Sequence, residues 1–178
     1  MSLFSPAVGQ AAALLPPSLS SMPPSLAVVS SSSALVIVAG GGRDLAWPVP
    51  LIARELLARA DGRPVHLLLH GGARGADQAI AAAADQLGWP SQALPADWRR
   101  FGRGAGPIRN RQLLDQALAN ALSHSKPRRL VCVLVVAFPG GAGTASLVQI
   151  ARQRAALSSV PVLVMEVAPA AGPAGVPA

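Results

Sequence analysis

The chain has 178 residues, 51% of them apolar and 13% charged, with 17 glycines, one cysteine and no tyrosine. That is enough apolar material for one packed core, and it excludes a disulfide framework, a multi-cysteine zinc site and an aromatic-rich sheet. The net charge of +7 comes almost entirely from arginine, Lys126 being the sole lysine, and it suits phosphate-bearing partners without naming one.

Residues Met1 to Ser33 carry no acidic or basic side chain and contain Pro16-Pro17 and Pro23-Pro24. Proline at that density breaks helices and ladders, so residues 1–33 read as a flexible Ser/Pro/Ala-rich tail. No basic n-region precedes an apolar stretch, and no apolar run reaches the ~18 to 20 residues of a membrane span. The expectation is a cytoplasmic chain with no membrane partner. Residues 168–178 are again uncharged and rich in Pro, Gly and Ala. All ionisable side chains lie between Arg43 and Glu166, which places one domain at residues 34–167.

Within that domain, apolar runs alternate with helical spacings. Ala34 to Ala39 is a β-branched run ending at Gly40-Gly41-Gly42. Pro50 to Ala60 sets Leu51, Ile52, Leu56 and Leu57 at helical spacing. Pro64 to His70 is a second strand, and Ala76 to Leu87 an alanine-rich helix closed by Gly88. Ser91 to Leu94 is a short third strand. Ile108 to Leu122 returns to helical spacing, after a stretch read as loop. Leu130 to Phe138 is the longest apolar run, Thr144 to Ala156 a helix, and Val160 to Val167 the last strand. Apolar runs without strict alternation are strands covered on both faces. Strand and helix in alternation give right-handed crossovers and an α/β, Rossmann-like open parallel sheet of about five strands with helices on both faces.

In such a sheet ligands bind beyond the carboxyl ends of the strands, where the strand order reverses. Three glycine loops follow predicted strands: Gly40 to Asp44, His70 to Asp77, and Phe138 to Thr144. A single such loop needs no ligand, because tight turns use glycine anyway. Three loops on one edge, two of them carrying Arg43 and Arg74, point to a phosphate or nucleotide. The expected ligand-binding set is Gly41, Arg43, Gly71, Gly72, Arg74, Gly75, Asp77, Arg109, Asn110, Pro139, Gly140, Gly141, Gly143 and Thr144. There is no G-x-x-x-x-G-K-[ST], and the first loop has no G-x-G-x-x-G, which disfavours P-loop ATP hydrolysis and ordinary hydride transfer from NAD. Pro95 to Arg111 holds five Arg and two aromatics, and Trp98 or Phe101 offers a face for a base. Asp44 is a partner for Arg43. Cys132 lies in an apolar strand as a core side chain, and His66 and His124 show no metal-ligand spacing, so no metal is expected. His70, beside a glycine loop, fits a hydrogen-bonded structural role better than a ligand contact.

HGGARGADQ (His70 to Gln78), PADW (Pro95 to Trp98), AGPIRN (Ala105 to Asn110) and AFPGGAGT (Ala137 to Thr144) together resemble the SLOG superfamily, and within it the YspA/cpYpsA-related branch. The resemblance implies a Rossmann-like fold whose glycine loops hold a nucleotide or nucleotide derivative, with no other cofactor required. It also implies three roles to choose between. The first is a domain binding a phosphorylated small molecule. The second is a hydrolase of the N-glycosidic bond of nucleoside monophosphates, as in the LOG phosphoribohydrolases. The third is binding of single-stranded DNA, as in DprA. The LOG pattern P-G-G-x-G-T-x-x-E is matched through Pro139, Gly140, Gly141, Gly143 and Thr144, but Leu147 stands where it has Glu. Leucine cannot move a proton. Arg109 resembles the catalytic arginine of that family in place, and Asp44, Asp77 and Asp97 are the acidic substitutes. A homodimer is expected by analogy with relatives.

Overall fold

A computed structural model describes residues 33–127 and 129–169; most of the tail expected at residues 1–33 and of the one at 168–178 lies outside them. The elements follow the predicted order. They are β1 (Ala34–Gly40), α1 (Val49–Ala60), β2 (Val65–His70), α2 (Ala76–Gln86), β3 (Ser91–Ala93), α3 (Trp98–Phe101), α4 (Ala105–His124), β4 (Val131–Ala137), α5 (Ala142–Leu157) and β5 (Val162–Glu166), with a 3₁₀ turn at Gly102–Gly104 between α3 and α4.

The five strands pair in parallel in the order β3-β2-β1-β4-β5. β1 and β4 are the middle pair, in register from Ala34 opposite Val131 to Gly40 opposite Ala137, and every residue of both is buried. Their side chains sort by the two-residue period of a strand. Leu35 and Ile37 pack with Leu134 under α1 and α2, against Ile52, Leu56 and Ile80. Val36 and Val38 pack with Val133 and Val135 under α4 and α5, against Leu113, Leu114 and Ile150. Cys132 is buried in the first of these clusters, as its apolar strand implied. The result is a doubly wound α/β sheet, the Rossmann-like arrangement expected.

Two helices start earlier than their apolar spacing indicates. α4 begins at Ala105, ahead of Pro107, rather than at Ile108. A proline in the first turn costs no hydrogen bond, because the N–H groups there have no partner within the helix. α5 begins at Ala142, so Gly143 lies in its first turn rather than in the loop. The stretch read as a loop before α4 contains α3, held by the Asp97 carboxylate accepting from the Arg100 N–H at 3.0 Å. Among the described residues no helix is long and apolar enough to cross a membrane.

Candidate functional site

After β1 the chain turns to α1 on one face of the sheet. After β4 it turns to α5 on the other. The two loops part at the carboxyl ends of the middle strands and leave a crevice, the place where open α/β sheets receive ligands. A cleft of about 480 Å³ lies there.

Its floor is made of buried residues: Gly40 at the end of β1, Asp77 on α2, Leu113 on α4 and Leu147 on α5. Its rim carries the exposed Arg43, Trp98 and Arg103. The loops around it interlock through main-chain bonds. The Gly42 N–H donates to the Pro139 carbonyl at 2.9 Å, and the Ala76 N–H donates to the Gly42 carbonyl at 3.0 Å. Gly75 has φ +74°, and a Cβ there would fall on the Arg43 carbonyl. Only glycine fits that corner, both for its backbone and for its neighbour.

The centre of the cleft is an ion pair, Asp77 on α2 with Arg109 on α4. Arg109 Nη1 stands 3.6 Å from Asp77 Oδ2, and their side chains are 17% and 5% exposed. The same Oδ2 accepts the Ala73 N–H at 3.1 Å. A Cβ on Gly71 would coincide with Nη1 of Arg109, so the residue after β2 is glycine because a guanidinium occupies its side-chain space. Burial holds the Asp77 carboxyl above the ordinary aspartate range, although the Ala73 N–H and Arg109 pull it down. Burial also lowers Arg109, which Asp77 offsets in part. Both shifts have one cause: 3.6 Å is too long a contact to repay two desolvated charges. Arg109 Nε is buried without a hydrogen-bond partner.

Asn110, 3% exposed, donates from Nδ2 to the Gly143 carbonyl at 3.2 Å and so ties α4 to the start of α5. Beside it the first N–H groups of α5, from Ala142 and Gly143, have no partner among the described residues, whereas those of Thr144 and Ala145 both donate to the Gly141 carbonyl.

The sequence-derived set divides accordingly. Gly41, Arg43, Gly71, Asp77, Arg109, Asn110, Gly141, Gly143 and Thr144 line the cleft, as does Asp44. Pro139 and Gly140 line a smaller hollow of about 170 Å³ on the other side of the same loop. Gly72, Arg74 and Gly75 stand outside both. The Gly72 N–H is taken by His70 Nδ1 at 3.2 Å, which gives His70 the hydrogen-bonded role expected of it. Asp44 pairs with Arg74 at 3.6 Å rather than with Arg43, and both side chains are exposed. Arg43 instead lies over the Trp98 ring, its guanidinium 5.0 Å from the ring centroid. Ser146 was absent from the sequence reading. Its spacing of three from Gly143 puts it on the same face of α5, and that period was the available signal.

Leu147 is 3% exposed and packs in the core cluster beneath α4 and α5. A Cβ on Gly40 would lie 3.2 Å from its Cδ2. At the position where the LOG pattern has Glu, this chain closes the cleft floor with a hydrocarbon.

No curated protein matches the chain. Residues 35–101, from β1 through α3, match the family described as the YspA, cpYpsA-related SLOG family.

Proposed function

Taking that match as the premise, we propose that the domain binds a nucleotide or nucleotide derivative, with its phosphate at the start of α5 and Arg109 as the charge partner. The match over residues 35–101 supports a nucleotide-related binding domain at the level of the family. One observation carries the finer reading. A largely buried arginine whose Nε has no hydrogen-bond partner shares a cleft with the free N–H groups of Ala142 and Gly143. Those N–H groups and the positive end of the α5 dipole suit an anion, and a phosphate oxygen would give Arg109 the partner that Asp77 supplies only at 3.6 Å. The second loop contributes less, because the N–H groups of Gly72, Ala73 and Ala76 already have acceptors within the chain.

The test is Gly141→Asp. Gly141 is the N-cap of α5, with φ −93° and open space around its missing Cβ. Aspartate is a preferred N-cap, so the fold is expected to keep or gain stability, while the new carboxylate takes the α5 N–H groups and repels an anion. Mass spectrometry of small molecules retained by the purified protein is expected to find a nucleotide-class phosphate ester on the wild type and none on the variant. Equal retention by a stable Gly141→Asp protein would reject the phosphate position.

Hydrolysis in the same cleft has one observation in its favour: the Asp77 carboxyl, pushed up by burial, faces the space a sugar phosphate would fill. In that reaction the N-glycosidic bond breaks as water adds to the sugar carbon, and Asp77 takes the proton that the water loses and relays it to the departing base. Free base released from nucleoside monophosphates, and lost in Asp77→Asn, would support that step. Release no faster than without protein rejects it.

A further inference from the structure

The rim of the cleft carries a feature that phosphate binding does not use. Trp98 begins α3, and the Asp97 cap fixes the turn on which it sits. Its indole is 48% exposed. One part of the ring rests on the backbone of α4 at Gly106, where a Cβ would come within 3.6 Å of Cη2. The Arg43 guanidinium lies over the ring at 5.0 Å from the centroid. Arg103 lines the same rim. A large aromatic surface is thus held at the mouth of a cleft, outside both core clusters, with a cation as its cover.

We propose that Trp98 is the base-stacking platform of this site, and that Arg43 is a displaceable cover closing over the bound base. The inference rests on the phosphate position proposed above, and it fixes the orientation and class of the ligand. The phosphate goes inward to α5. The aromatic base lies at the rim, on the indole. Arg43 is exposed and joined to the domain through a flexible side chain. A base between indole and guanidinium needs two stacking contacts, about 7 Å in all. Arg43 therefore moves outward by about 2 Å from its present 5.0 Å, with no change in the sheet. Guanidinium groups and indoles both stack on nucleobases, and every base has a π-face, so the platform selects for a base without selecting which one. A sugar phosphate lacking a base gains nothing from it.

The experiment is calorimetric titration of the full chain with adenosine monophosphate and with ribose 5-phosphate, for the wild type, Trp98→Leu and Trp98→Phe. The wild type is expected to bind the nucleotide about tenfold or more tighter than the sugar phosphate, the discrimination of one stacked base. Trp98→Leu is expected to bring the nucleotide down to the level of the sugar phosphate while leaving sugar phosphate affinity within about twofold, and Trp98→Phe to recover part of the ratio. Circular dichroism of the variants checks that this exposed position leaves the fold intact. An unchanged ratio in Trp98→Leu, or equal binding of both probes by the wild type, overturns the platform and leaves the phosphate position standing. A wild type that binds neither probe overturns the phosphate position, and the platform with it.

Discussion

Gly71 and Arg109 show how one side chain dictates another residue's identity across the fold. The guanidinium fills the space where a Cβ of residue 71 would stand, so Gly71→Ala displaces it and opens the ion pair to Asp77. Both charges then lose their partner in a partly desolvated place, and the expected loss of stability is about 1–3 kcal/mol, with loss of anion binding. Urea denaturation and phosphate titration of the same variant check the two effects. Leu147 carries the other residue-scale expectation. Its side chain belongs to the core, so Leu147→Ala is expected to cost about 2–3 kcal/mol by leaving a cavity at the cleft floor. A change within 0.5 kcal/mol would show that the position is not structural. The sequence made the glycine of residue 71 visible but not its reason, because the cause lies 38 positions along the chain on α4. Likewise the Asp44–Arg74 pair joins two loops whose meeting depends on the sheet, so Arg43, next in sequence, was the natural but incorrect partner.

Among the elements, strands and long helices were legible because burial on both sheet faces writes uninterrupted apolar runs, and packing on one side writes a 3.6-residue spacing. Their ends were less legible. The first turns of α4 and α5 are built from Ala, Gly and Pro, which carry no apolar periodicity, yet these turns make the site. α3 escaped because a single capped turn is too short for a period. The loops between elements give a paired expectation. Gly75→Ala places a side chain at φ +74° and onto the Arg43 carbonyl, and it is expected to lower stability by more than ~2 kcal/mol. Gly141→Ala, at φ −93° in open space, is expected to stay within about 1 kcal/mol of wild type. Thermal melting of the two variants side by side separates a conformational requirement from mere glycine preference.

For the molecule as a whole, two histidines, the buried His70 and the half-buried His66, set the response to acid. Burial lowers His70, where Asp77 and Asp85 pull upward and Arg109 pushes down, and burial also lowers His66, beside Arg129 and His124. Their unfolded value of 6.5 lies above the folded one, so the unfolded chain takes up protons that the folded chain refuses. Stability is therefore expected to fall as pH drops below 6.5 toward the lowered folded values, with a lower urea midpoint at pH 5.5 than at pH 7.5. His70→Gln, which can still accept the Gly72 N–H, is expected to shrink that difference. Asp77 works in the opposite sense at lower pH: its raised carboxyl contributes most below 3.8, and that contribution is lost as pH rises through the folded value.

The anion is expected at the reversal of strand order between β1 and β4. Backbone amide NMR during titration with adenosine monophosphate tests this most directly. The largest shifts are expected at the Ala142 and Gly143 N–H groups, with small ones at Gly72, Ala73 and Ala76, whose hydrogens are already bonded within the chain. Saturating shifts confined to surfaces away from the cleft, or none at α5, would contradict it.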